Sequence, residues 1–133
     1  MAEARADQAG ARLAAQMAFV AELDRLKTVL RQTWLVDGSR QETDAEHSWQ
    51  VALMALVLAE HAEPGADAAE AARMLLVHDV VEIDAGDTFL YDPDAAADQA
   101  TREAAAADRL YGLLPAAQGA ELRALWEAFE TAD

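Results

Sequence analysis

The sequence contains no cysteine. This absence excludes disulfide bonds and thiolate metal sites, so any bound metal ion has to be held by imidazole and carboxylate groups. It also makes the cytoplasm the expected compartment. Proline occurs only three times among the 133 residues, and β-branched residues never form a long run. These shortages favour helices over strands, and we expect an all-α protein.

Basic residues and long apolar runs are also scarce. Lys and Arg together number 10 against 25 Asp and Glu, which gives a net charge of −15. This charge repels nucleic acids and anionic membranes and removes the counterion release that drives duplex binding. No apolar run approaches the roughly 20 residues that cross a bilayer. We therefore expect a protein that binds neither nucleic acid nor membranes, although a locally positive cleft could still accept a small anion.

Apolar residues recur at steps of three and four along most of the chain, which predicts one domain over residues 1–133. The first ten or so residues are expected to be disordered, and Thr43 to Glu46 has the form of a capping box that starts a helix. The segment Asp84 to Asp94 is interpreted as an ordered loop. The five predicted helices run from about Ala11 to Val36, Thr43 to His61, Ala66 to Val81, Ala95 to Leu113 and Ala117 to Glu130.

The sequence has three histidines, and two of them occupy informative positions. His47 falls in the first turn of the second predicted helix, in phase with Val51 and Leu58. Taken alone, such a histidine is more often a buried core residue than a ligand. His61, beside Glu60 at the end of the same helix, is interpreted as a C-terminal cap that interacts with the helix dipole.

His78 and Asp79 follow a strongly apolar run, and Glu82 comes three residues after Asp79. On one continuous helix these three side chains would crowd into about a quarter turn. Burying an imidazole with two carboxylates costs on the order of several kcal/mol unless a cation joins them. A divalent metal ion is the simplest such cation, and the alternative is a solvated helix end with an ordinary acidic cluster.

Three groups of residues follow one another in a specific order. They are Arg40-x-Glu42-x-x-x-Glu46-His47, then His78-Asp79-x-x-Glu82-x-x-x-Gly86-Asp87, and finally Leu122-x-x-Leu125-Trp126-x-x-Phe129-Glu130. This pattern resembles the HD-domain metal-dependent phosphohydrolases, and among them the 5′-deoxynucleotidases. The likeness covers most of the chain from Leu26 onward and implies a compact helical HD-domain bundle.

The resemblance implies a metal site and a reacting pocket. His47, His78 and Asp79 would coordinate one divalent metal ion, with Glu82 and Asp87 close to the attacking water and the phosphate. Cobalt, manganese, iron or zinc would suit such a ligand set better than calcium. Glu82, crowded by Asp79, is expected to have a raised pKa and to give a proton to the leaving 5′ oxygen. Asp87 would orient the water or substrate, or the two roles are exchanged.

Three further residues are candidates for substrate contacts. Arg31 and Trp34 are the nearest matches to an arginine and a tryptophan that the resemblance implies, the alternative for Trp34 being a place in the core. Arg40 would neutralise phosphate oxygens, the alternative being a surface pair with Glu42.

The family's fourth ligand, an aspartate on a later helix, has no match, because the chain stops at Asp133 about where that helix should begin. We therefore expect the family's C-terminal helix to be missing and metal to be held loosely, and an inactive chain in this form is left open as an alternative. The implied substrate is a deoxynucleoside 5′-monophosphate, and the expected assembly is a homodimer. The alternatives are hydrolysis of a cyclic nucleotide or guanosine polyphosphate, and a non-catalytic helical module that dimerises.

Overall fold

The computed structural model describes residues 2–86 and 93–131, including all of their side chains except those of residues 93–96. Five long helices, one single-turn helix and a two-stranded sheet make up this part of the chain. Their bounds are α1 (Ala2–Leu23), β1 (Leu30–Trp34), β2 (Gln41–Thr43), α2 (Asp44–Val57), α3 (Ala68–His78), α4 (Glu82–Ala85), α5 (Pro93–Tyr111) and α6 (Ala116–Glu130). The predicted mainly helical fold is confirmed. No helix in these ranges is long and apolar enough to cross a membrane.

The first predicted helix is wrong beyond Leu23. The chain passes through a 3-10 turn, Asp24–Thr28, into β1, which pairs antiparallel with β2. Helical spacing extended the prediction to Val36, but the chain buries Leu26 in the 3-10 turn and then becomes extended at Val29. The segment expected to be disordered is part of α1, and its side chains are exposed.

The predicted capping box starts α2. The Thr43 hydroxyl accepts from the backbone N–H of Glu46, and the Glu46 carboxylate accepts from the backbone N–H of Thr43. These two bonds satisfy N–H groups that a helix start leaves free. They fix His47 near the start of α2, which ends at Val57 and is followed by a separate 3-10 turn, Ala59–His61, rather than continuing to His61.

The third predicted helix ends too late. α3 stops at His78, Asp79 is its C-cap, and the chain turns through residues 79–81 before α4 begins at Glu82. The two β-branched residues in this turn, Val80 and Val81, are buried in the core. The prediction that His78, Asp79 and Glu82 lie on one helix is therefore wrong. Their proximity depends on the turn.

The last two helices agree with the prediction to within about two residues at each end. α5 begins at Pro93, and Pro115 caps the start of α6. The two helices approach closely at Gly119, where a Cβ atom would collide with the carbonyl oxygen of Tyr111. Of the predicted loop, Asp84 lies in α4 and Gly86 ends it with a φ of 74°, while residues 87–92 lie outside the described part.

The core collects apolar side chains from all of these long helices except α2 and α3, which pack beside it through partly buried residues. α2 packs on α3, and α3 packs on α6. The fully or nearly buried core members are Phe19, Leu26, Val80, Val81, Ile83, Ala106, Ala107, Leu110, Tyr111, Leu114 and Trp126. The turn between Asp79 and Glu82 is thus held in place by Val80 and Val81, which are both buried in the core.

Arg109 of α5 joins three elements, because its guanidinium pairs with Glu22 of α1 at 3.0 Å and Asp84 of α4 at 2.6 Å. Arg109, and next Arg25, hold the pKa of Glu22 at about 2, below its ordinary 4.5. A lowered pKa stabilises the fold above pH 4.5, and this stabilisation is lost as the pH falls toward 2.

We expect Arg109→Met to lower the Tm at neutral pH. The difference in Tm from the unmodified chain should shrink as the pH falls from 4.5 to 2. Thermal unfolding with Arg5→Met as control measures this, and a difference independent of pH would contradict it.

Candidate metal centre

Three of the predicted residues converge. One potential ligand atom from each of His47, His78 and Asp79 lies within 4.8 Å of the others. His47 comes from the start of α2, whereas His78 and Asp79 come from the end of α3. The Nε2 atom of His78 lies 3.2 Å from Oδ1 of Asp79. Two imidazoles and a carboxylate at this spacing suit a borderline transition metal such as cobalt, manganese, iron or zinc.

His47 is oriented by the hairpin. Its Nδ1 lies 3.3 Å from Oε1 of Glu42 on β2, and the same oxygen accepts a hydrogen bond from the Thr33 hydroxyl on β1. A ring nitrogen facing a carboxylate carries the proton, which leaves Nε2 with its lone pair for a ligand. Burial, followed by the charge of Arg31, lowers the pKa of His47. The neutral, ligating form is therefore favoured.

His78 is oriented by its own helix and by α6. Its Nδ1 faces the backbone carbonyl of Leu75, so this nitrogen is the donor and the lone pair of Nε2 is available to bind a metal ion. The ring of Phe129 packs against the imidazole with 4.5 Å between ring centroids. Phe129 was predicted only as a packing residue of the last helix. The structure shows that it also limits the movement of a candidate ligand.

Arg31 lies among three carboxylates. Its guanidinium is 3.2 Å from Glu42, 3.5 Å from Asp79 and 3.7 Å from the fully buried Asp44. Three carboxylates around one guanidinium leave an excess of negative charge in a poorly solvated place, and a divalent cation between the imidazoles balances it. The donor set and its surroundings thus fit a metal ion.

Glu82 occupies a buried pocket next to this site. Burial is the main cause that raises its pKa from 4.5 to about 9, followed by a hydrogen bond with Glu103 of α5 and then by the charges of Glu103, Asp79 and Asp44. The sequence suggested a raised pKa but attributed it to Asp79. A carboxyl group with this pKa holds its proton at neutral pH, although a divalent charge beside Asp79 would oppose the shift.

The other predicted site residues are more dispersed. Trp34 is 61% exposed on β1, so the alternative of a core position is wrong. Arg40 forms a surface pair with Glu46, not with Glu42, and this pairing lowers the pKa of Glu46 to about 2. Asp87 lies outside the described residues.

Sequence reasoning missed several residues around the site. Glu42 was interpreted as a member of the pattern or as a surface partner of Arg40, and not as a partner of His47. The contacts of Asp44, Gln99 and Glu103 were not foreseen. The signal for Glu42 would have been the hairpin, which brings a carboxylate two residues before α2 beside His47. Gln99 and Glu103 are a turn apart on α5, but nothing local indicates what they face.

The HD-domain family model matches residues 23–133 of this chain. The chain belongs to the HD-domain family. It is 34% identical over 115 residues to 5′-deoxynucleotidase HDDC2 of Bos taurus and 32% identical over 114 residues to that of Homo sapiens. Each match covers 85% of this chain and 54% of the relative, so the chain spans about half the length of these curated proteins.

A solved structure also shares the fold of this chain. The crystal structure of a predicted metal-dependent phosphohydrolase from Magnetospirillum magnetotacticum MS-1 superposes with a TM-score of 0.84 at 57% sequence identity. The superposition covers 92% of this chain and 62% of that chain. This HD-domain chain is therefore similar in sequence to proteins named 5′-deoxynucleotidases, and similar in sequence and structure to a protein named a predicted metal-dependent phosphohydrolase.

Glu42 provides a test of how the candidate ligand His47 is held in this HD domain. Glu42→Gln keeps the size of the side chain but removes the carboxylate that faces His47 Nδ1. Loss of such an outer partner typically lowers metal affinity by about 10- to 100-fold, and we expect a decrease in the lower part of that range. Calorimetric titration with Co²⁺ measures it. Glu60→Gln is the control, because Glu60 pairs with the exposed His61 away from the site. Equal affinities for both variants would contradict the assignment.

Proposed function

We propose that this chain is a metal-dependent phosphomonoester hydrolase that acts on small nucleotides, with deoxynucleoside 5′-monophosphates as the preferred substrates. The observation that carries the proposal is the convergence of His47, His78 and Asp79 beside a buried Glu82 whose pKa is raised to about 9. The names of the HDDC2 relatives and of the bacterial structure support the same reaction class.

His47 and His78 through Nε2, and Asp79 through a carboxylate oxygen, would hold the metal ion. A divalent ion there supplies Lewis acidity toward a phosphoryl oxygen and lowers the pKa of a water molecule in the site. The protein contributes the orientation of both imidazoles and a poorly solvated setting that strengthens electrostatic interactions.

Glu82 would act as the general acid. Because it keeps its proton at neutral pH, it can protonate the leaving 5′ oxygen as the P–O bond breaks, and it regains a proton from solvent after the phosphate leaves. Asp87 is proposed to orient the attacking water or the substrate, and an exchange of the two roles stays open.

Substrate contacts are proposed for Arg31, Trp34 and Arg40. Arg31 is the best placed, because its guanidinium lies 3.5 Å from the candidate ligand Asp79. Trp34 presents an exposed ring that can stack on a nucleobase. Arg40 would have to exchange its pair with Glu46 for a phosphate. The proposed compartment is the cytoplasm, which the lack of cysteine predicts.

A phosphate-release screen tests the proposal. The metal-free chain is incubated with Co²⁺, Mn²⁺, Fe²⁺ or Zn²⁺ and with deoxynucleoside 5′-monophosphates, their ribose and 3′ counterparts, cyclic nucleotides and guanosine polyphosphates. We expect metal-dependent release from the 5′-deoxynucleotides above all others, and none from His78→Ala. Turnover of only the cyclic or polyphosphorylated compounds would replace the substrate class. A chain that folds stably without metal and turns over none of the compounds would favour the non-catalytic module.

The homodimer is proposed to form through α2. This helix exposes large apolar side chains, which a monomer rarely leaves in contact with water over a contiguous area. They are Trp49, Leu53, Met54, Leu56 and Val57. A second copy of the chain can cover this face by the same face of its own α2, as a two-fold interface requires.

Sedimentation over a concentration series checks the homodimer. We expect Leu53→Glu to shift the chain to monomer by placing a charge within the apolar face. Val36→Glu is the control, since Val36 is fully exposed in the turn between β1 and β2. A monomeric unmodified chain at all concentrations, or a dimer that tolerates Leu53→Glu, would exclude this interface.

A further inference from the structure

Gln99 of α5 is a buried amide with no place in the reaction described above. Its residue surface is only 6% exposed. Its Nε2 lies 2.9 Å from the carbonyl oxygen of Gly86, 3.1 Å from Oε1 of Glu103 and 3.4 Å from Oε2 of Glu82. One amide group thus faces two carboxyl groups and the backbone at the end of α4.

The orientation of this amide is fixed by a neighbour. A guanidinium N–H of Arg102 donates to Oε1 of Gln99. Turning the amide over would place its oxygen against three other oxygens and its N–H groups against the guanidinium, so only one orientation satisfies all of these groups. Arg102 is in turn paired with Asp98 one turn away. The N–H groups of Gln99 are therefore oriented toward the oxygens of Glu82, Gly86 and Glu103.

The groups that Gln99 holds are those that matter for the proposed reaction. Glu82 begins α4, and Gly86 ends it with a φ of 74°, a backbone conformation that glycine adopts readily. No backbone hydrogen bond to the Gly86 carbonyl is found among the described residues. The amide of Gln99 therefore links both ends of the single-turn helix α4 to the long helix α5.

We propose that Gln99 is a positioning residue, whose amide N–H groups orient the carboxyl group of Glu82 and the carbonyl of Gly86 relative to the metal site. The proposal rests on the proposed function, because that function makes Glu82 the general acid. Gln99 itself does not contact substrate or metal. It acts by restricting the carboxyl group of Glu82 to one position.

The consequence is a specific change in kinetics. Misplacing a reacting group by about an ångström can cost up to about 100-fold in rate. Without the amide donors, the buried Glu82 side chain should adopt more than one position. We expect Gln99→Met, which keeps the bulk but lacks donors, to lower kcat by about tenfold or more, with KM and metal affinity within about threefold of the unmodified chain.

Four further variants separate positioning from simple packing. Gln99→Asn keeps a neutral amide with N–H donors on a side chain one methylene shorter, and it should retain clearly more of the kcat than Gln99→Met. Gln118→Leu is the matched control, because Gln118 makes an inter-helix amide contact with Gln16 far from the site. In a Glu82→Gln background, Gln99→Met should cause little further loss, since both changes act through one group. If Gln99→Met does not fold, Arg102→Met is used in its place, because it removes the guanidinium that fixes the orientation of the Gln99 amide.

Crystal structures and kinetics of these variants together decide the proposal. Displaced or multiple positions of the Glu82 carboxyl in Gln99→Met, with kcat reduced and the reduction smaller in Gln99→Asn, would support it. Unchanged positions of Glu82 and Gly86 would overturn it, and so would displacement with unchanged kcat in an active chain. If the unmodified chain releases no phosphate from any substrate, the proposed function fails, and the positions of Glu82 and Gly86 in Gln99→Met alone decide whether Gln99 positions them.

Discussion

Glu82→Gln is expected to lower kcat for phosphate release by a factor on the order of 10² or more, the usual effect of removing a positioned acid or base. Glutamine preserves the shape of the side chain but has no proton of suitable acidity. The Tm should not fall, because the buried carboxyl group is already neutral at pH 7 in the metal-free fold and an amide resembles that state.

Steady-state kinetics, metal titration and thermal unfolding of Glu82→Gln measure this expectation. Glu127→Gln is the control, because Glu127 is exposed on α6 and pairs with Arg123. Full activity of Glu82→Gln would move the proton transfer to another group. A large loss of metal affinity would instead show that Glu82 is itself a ligand.

His47→Ala and His78→Ala are each expected to weaken metal binding at least tenfold and to abolish measurable phosphate release. Each substitution removes one of three ligand atoms that lie within 4.8 Å of one another. A site left with one imidazole and one carboxylate has neither the geometry nor the charge to compete with hydration of the ion.

His61→Ala is the matched control for these variants. His61 is mostly exposed and pairs with Glu60, outside the candidate site. Calorimetric titration of all three variants with the same metal gives the comparison. Equal loss of metal for all three would show that the choice of ligands is wrong.

Local sequence signals predicted those parts of the site that depend on local structure. The capping box at Thr43 and Glu46 positions His47 within one turn of a helix, and both hydrogen bonds are present. Similarly, the apolar run before His78 correctly placed this residue within the third helix, although that helix ends at His78 and not at Val81. Helix caps and hydrophobic periodicity are encoded within a few residues, so a single sequence suffices to find them.

The parts that failed depend on contacts between distant segments. Leu30 and Trp34 continue a helical spacing in sequence, yet the chain forms a strand there because it pairs with residues 41–43. That pairing brings Glu42 to His47, which no local pattern indicates. The raised pKa of Glu82 was predicted for the wrong main reason, since the burial and the Glu103 contact come from the packing of α5 on α4.

The account depends most directly on metal-dependent hydrolysis at the site of His47, His78 and Asp79. The decisive measurement is phosphate release from a deoxynucleoside 5′-monophosphate while the metal-free chain is titrated with Co²⁺ or Mn²⁺. The account predicts a rate that rises with the metal bound, saturates at one ion per chain and is lost in His47→Ala and His78→Ala. Hydrolysis that proceeds equally without metal, or that both variants retain at the same bound-metal stoichiometry, would contradict it.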